Sequence, residues 1–138
     1  MNWKEKCLSA LDSHKMFEDS GHRTRFKELL DCYCNYPFFT KGLCKCIYLS
    51  AWDDKHFCIM LETLTDLSLG KETTTKEMSI KGDALAEEQL DEEYYVYELS
   101  LALLENRPYR QNVSAGISVG TRYIINRALR ASDIIDRL

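Results

Sequence analysis

Apolar residues surround the stretch from Leu43 to Trp52. Leu43, Cys44, Cys46, Ile47, Tyr48, Leu49, Ala51 and Trp52 leave only Lys45 and Ser50 as polar interruptions. A helix without a polar face belongs in the middle of a fold, so this segment is the expected centre. The segment after it carries Phe57, Met60, Leu61, Leu64 and Leu67 at the 3.6-residue period, with Glu62, Thr63 and Asp66 on the other side. That pattern predicts a helix packing by one stripe.

Earlier in the chain, Trp3, Cys7, Ala10 or Leu11, His14 and Phe17 recur at helical spacing and predict a first helix over residues 2–18. Ser20 is the expected N-cap of a second helix, with Phe26, Leu29, Leu30, Tyr33 and Cys34 as its stripe and Pro37 as its end. Thr40 caps the third, where Phe39 and Cys44 take the two positions of a hydrophobic staple. Trp52, Asp53 and Phe57 repeat that arrangement at the fourth, which Gly70 closes. Thr74 with Glu77 forms a capping box for a short helix ending at Gly82. Asp83 caps the longest helix, residues 83–106, with Leu90, Tyr94, Tyr97, Leu101 and Leu104 as its stripe and Asn106 and Pro108 as its stop. The last helix is expected over Ser114–Leu138, with Ile117, Gly120, Ile124, Ala128, Ala131 and Ile135 on one face; Gly116 and Gly120 would allow a neighbour to approach closely. No convincing period-2 run appears; an extended segment over Asn112–Val119 is the one alternative to helix. The fold class is therefore all-α: residues 1–138 as a single-domain bundle of about six helices, one of them short.

Composition agrees with this picture. The chain has 138 residues, 45% hydrophobic and 29% charged, with two prolines and six glycines, a globular profile with no linker. No run approaches the roughly 18 apolar residues of a membrane span, and the N-terminus has no signal-peptide core. The expectation is a cytoplasmic protein without membrane contact, whose six cysteines are reduced thiols and not a disulfide framework.

Charge changes the picture more. Residues 1–82 hold equal numbers of acids and bases, whereas residues 83–106 carry eight acids and no base. Residues 107–138 carry six arginines against two aspartates, giving a net charge of −4 overall. Arg122, Arg127, Arg130 and Arg137 fall within an arc of roughly 140° on a helix. Arginine offers a rigid bidentate fork for carboxylates and phosphates. The two charged helices are expected to lie against each other, within one chain or across a homodimer axis. Direct nucleic-acid binding is not expected: the segment from Thr74 to Leu90 has a helix-turn-helix rhythm, but its would-be recognition helix is acidic and phosphates would repel it.

Candidate chemistry is sparse. Cys32 and Cys34, then Cys44 and Cys46, suggest zinc, yet cysteines two apart on a helix point about 200° away from each other, so four thiolates do not converge. His14, His22 and His56 sit beside no nucleophile. Asp53 and Asp54 are explained by an N-cap and an acidic first turn. No catalytic residue, cofactor or metal is assigned. Glu87, Glu88, Asp91 and Glu92 share a helix face, which reads first as a solvated acidic surface and second as one that can hold Mg²⁺ against phosphates. Glu87, Glu88 and Asp91, with the distant Asp133 and Asp136, resemble the E-E-x-x-E and later E-x-x-D pattern of helical nucleotide pyrophosphohydrolases, departing from it in residue type and spacing. That resemblance implies a Mg²⁺-dependent nucleotide hydrolase as one alternative; an inhibitor that mimics nucleic acid with its acidic helix is another. The leading expectation is a protein that binds another protein or itself, with Tyr36, Phe38, Phe39, Glu87, Glu88, Asp91, Glu92, Arg122, Arg127 and Arg130 as interface candidates.

Overall fold

The computed structural model describes residues 2–70, 91–109 and 118–138, and of residues 91–97 only Val96 beyond the backbone. The described residues form six helices and no strand: α1 (Trp3–Ser13), α2 (Ser20–Tyr33), α3 (Lys41–Ser50), α4 (Asp54–Ser68), α5 (Asp91–Leu104) and α6 (Val119–Asp136). The fold is all-α. Among the described residues no helix is long and apolar enough to cross a membrane.

Helix starts follow the local chemistry. Thr40, Asp53 and Ser118 accept the orphan amides of Leu43, His56 and Thr121. At α2 the cap is Asp19, one residue before the expected Ser20, and it accepts the amide of His22 at 2.8 Å. Helix ends follow it too. Gly70 closes α4 at φ 72° and Asn106 closes α5 at φ 55°. Both take the left-handed position that a C-terminal reversal needs. The first helix is shorter than expected for the same reason. Lys15 adopts φ 53°, its amide returns to Asp12 O, and the Met16 amide returns to Leu11 O at 2.9 Å. This leaves His14 exposed, off the apolar stripe, while Met16 turns back into the core.

At the centre lies α3. Every residue from Leu43 to Leu49 is buried, and the helix packs on α2, α4, α5 and α6. One continuous core joins it to Cys7 and Leu11 of α1, Phe26 and Leu30 of α2, Leu64 of α4, Leu99 of α5, and Ile125 and Ile135 of α6. Gly42 sets the approach to α5: a Cβ there would fall 2.7 Å from the carbonyl oxygens of both Leu103 and Leu104. Gly120, expected to serve in that way, stands in the open. Arg25 straps the α3–α4 corner to α2, donating to Ala51 O at 2.7 Å and Trp52 O at 3.0 Å.

The stripes of α4 and α5 also differ from expectation. On α4, Thr63 is buried and donates back to Ile59 O, while Leu61 turns outward. On α5, the buried residues are Leu99, Ala102 and Leu103, with Val96 packed beside them. At 100° per residue this face lies opposite the expected line through Tyr97, Leu101 and Leu104. From Tyr94 to Leu104 the helix is apolar nearly all round, so periodicity had no basis for choosing a side. The expected short helix at Thr74–Gly82, the Asp83 cap, Leu90, Gly116 and Ile117 lie outside the described residues.

Candidate functional site

The α2–α3 connection is short, and its geometry follows from two turns. The Tyr36 amide returns to Tyr33 O, and the Phe39 amide returns to Tyr36 O. These turns sort the aromatic residues that the sequence places here. Phe39 goes inward, its ring edge-on to Trp3 with centroids 5.8 Å apart. Tyr36 stays outside, stacked on Phe38 at 5.1 Å and 23°. Tyr33 closes the cluster, 5.7 Å from Tyr36, and its hydroxyl meets Thr65 Oγ1 at 3.2 Å.

That last bond carries the cluster onto α4. Leu61, Thr65 and Leu69 follow at intervals of four and so share the helix face beside Tyr33. Tyr36 is 41% exposed, Leu61 38% and Leu69 65%. Three large apolar side chains are therefore exposed, Tyr36 as one member of a preformed aromatic stack and Leu61 and Leu69 on the α4 face that Tyr33 reaches through Thr65, with Glu62 exposed on the same helix. The sequence offers Tyr36 and Phe38 as interface candidates but assigns Leu61 to the core and leaves Leu69 unassigned. A polar Thr63 that hydrogen-bonds to its own helix, and so tolerates burial, shifts the real stripe away from Leu61.

A second polar locus lies between α3, the end of α5 and the end of α6. Lys45 is the one charged residue in the buried run of α3, and its ammonium sits 2.7 Å from Asp136 Oδ1. The pair borders a cleft of about 330 Å³ whose other polar walls include Arg107, Tyr109, Ser132 and Asp133. Arg107 is occupied by Glu105 at 2.6 Å. Asp136, one of the carboxylates in the pyrophosphohydrolase-like pattern, is thus engaged by a buried lysine.

The charged candidates divide. Glu87 and Glu88 lie outside the described residues; the backbone of Asp91 and Glu92 opens α5, and their side chains lie outside the description. Helices α5 and α6 do pack together. Arg122 and Arg130 face solvent, and among the described side chains no ion pair joins the two helices. Arg127 is half-buried, lies 5.8 Å from the Tyr123 ring centroid and donates to Lys15 O. Its role is to hold the end of α1.

Among the described residues no three His, Cys, Asp or Glu side chains gather as metal ligands, and all six cysteines are free thiols. Cys44 and Cys46 point to different partners: Cys44 Sγ lies 3.9 Å from Cys7 Sγ, and Cys46 Sγ lies 3.0 Å from Ser100 O. Burial pushes both the Cys44 and Cys46 thiols well up, against thiolate chemistry. At Asp53, burial raises the carboxyl pKa, but the His56 ring and amide outweigh it and hold the group below its usual range. This belongs to a helix cap. Compared with known proteins, the chain matches no family model, no curated protein and no solved structure.

Proposed function

We propose that this protein works by binding another protein, through the face made by Tyr36, Phe38, Leu61 and Leu69, and not by catalysis. The observation that carries this reading is an exposed Tyr36 stacked on a half-buried Phe38, with Leu61 and Leu69 exposed on the helix that Tyr33 of the same cluster reaches through Thr65. Aromatic anchors dominate the energetics of interfaces, and an anchor already fixed in place loses little side-chain entropy on binding. Backbone turns on both sides and the Tyr33–Thr65 bond fix the ground on which this anchor stands.

Site-specific photo-crosslinking inside the source cell tests it. A photoreactive residue replacing Tyr36 should give one discrete protein adduct, lost when Leu61→Glu is added. The same residue replacing Thr24, exposed on α2, should give none. No adduct from position 36, or an equal one from position 24, removes the proposal. The mass of the adduct separates a homodimer from a different partner.

A further inference from the structure

His22 opens α2 yet is completely buried. Its ring lies among Phe17, Tyr48 and Trp52, with centroids 5.3, 4.8 and 4.9 Å away. Both nitrogens are used. Nδ1 accepts the Glu18 amide at 3.1 Å, which requires it to be unprotonated, so the single ring proton resides on Nε2 and is donated to Tyr48 O at 2.9 Å. The ring therefore joins the α1–α2 connection, residues 14–19, to the end of α3.

The other groups on that connection make the ring's protonation state consequential. Tyr48 donates its hydroxyl to Met16 O, Arg127 donates to Lys15 O, and Tyr123 donates to Glu18 Oε2 at 3.0 Å. Tyr123 in turn packs edge-on to Trp52. Glu18 is thus the residue at which α2 and α6 both hold the connection. A second proton on His22 would set N–H against N–H at the Glu18 amide, on a ring completely buried among aromatic carbons.

We propose that His22 is a pH-sensitive latch: a second ring proton, taken up in acid, breaks the bond to the Glu18 amide and frees the connection between α1 and α2. Released, Glu18 draws away from Tyr123, and Phe17 and Trp52 lose their common neighbour. The charged groups around the ring come from several elements. Glu18 and Asp19 on the connection favour the imidazolium, while Arg25 on α2, itself beside Asp54 of α4, opposes it. From α3 comes the neutral Tyr48 phenol, and from α6 come Tyr123 and Arg127, which grip the connection and not the ring. Burial is the largest influence and holds the imidazole below its ordinary range. With a folded pKa below the unfolded value of about 6.5, the closed form is fully favoured above that pH. The preference is lost progressively as pH falls toward the folded value. The latch lies at the opposite end of α2 from Tyr36 and stands independently of the binding face.

Hydrogen exchange of the Glu18 amide from pH 7 to 5, corrected for the chemical rate, reads the latch directly. For a single proton the opening constant should rise by up to about 25-fold. In His22→Gln, whose amide can accept and donate in the same places without titrating, it should stay flat. An equal rise in His22→Gln overturns the proposal. Ring ¹⁵N shifts of the unaltered protein decide the matter even if that variant does not fold. A proton on Nδ1 at pH 7, or titration of His22 with unchanged Glu18 protection, contradicts the latch.

Discussion

At the scale of single residues, two side chains place constraints that no local pattern announces. Lys45 reads in sequence as a polar gap in an apolar helix, yet its ammonium is buried against Asp136. The partner is far away along the chain, and only the fold brings it near. Such a pair stabilises little on balance, because desolvation offsets the attraction, while removing one member strands the other. Asp136→Ala should therefore cost about 1–3 kcal/mol, less than for a fully buried pair because the carboxylate is half in water. Lys45→Met should lie within about 1 kcal/mol of the parent. Urea unfolding of both variants checks the asymmetry; a Lys45→Met cost equal to that of Asp136→Ala would show that the pair itself stabilises the fold. Gly42 was equally illegible. Sequence suggested Gly116 and Gly120 for a close approach, but the pair of α5 carbonyls that needs a missing Cβ meets α3 instead.

At the scale of elements, four helix boundaries were legible from capping chemistry: Thr40, Asp53, Gly70 and Asn106 stand where the sequence placed them, whereas Asp19 and Ser118 cap α2 and α6 in place of the expected starts at Ser20 and Ser114. The end of α1 was not legible, because a lysine occupies the left-handed position usually given to glycine or asparagine. Faces were legible for α2, whose four leading apolar positions are all buried, and illegible for α5. Burial gives α5 a measurable test. Leu99→Ala, at a completely buried site, should cost about 2–5 kcal/mol, whereas Leu101→Ala on the half-exposed side should cost about 1 kcal/mol or less. Thermal or chemical denaturation decides it, and the reverse order would mean that α5 packs by its other face. The binding face was half legible for the same reason. The corner aromatics announce themselves in sequence, but the α4 leucines beside them look like core until Thr63 is seen to take the inward position.

At the scale of the whole molecule, the arrangement around α3 determines which groups meet solvent. Cys7, Cys44 and Cys46 are buried, whereas Cys32 and Cys58 are exposed. In the folded protein an aromatic disulfide reagent should titrate Cys32 and Cys58 quickly and Cys34 more slowly. The other three should react only on unfolding. Mass mapping of the labelled sites checks the order; fast labelling of Cys44 would place α3 near the surface. Helices α5 and α6 meet, with Leu99 and Leu103 of one and Ile125 and Ala128 of the other in the same core, and an ion pair made by the exposed Arg122 or Arg130 would add about 0–1 kcal/mol.

The central claim is that the bundle is assembled on α3, with Leu43–Leu49 enclosed on every side. Native-state hydrogen exchange tests this most directly, since the most enclosed amides open only when the whole molecule unfolds. The amides of Ile47, Tyr48 and Leu49 should exchange with the free energy of global unfolding and rise with it when stability is raised, while those of α1 and α4 exchange through smaller openings. Amides of α3 that exchange more readily than those of α1 or α4 would contradict the account.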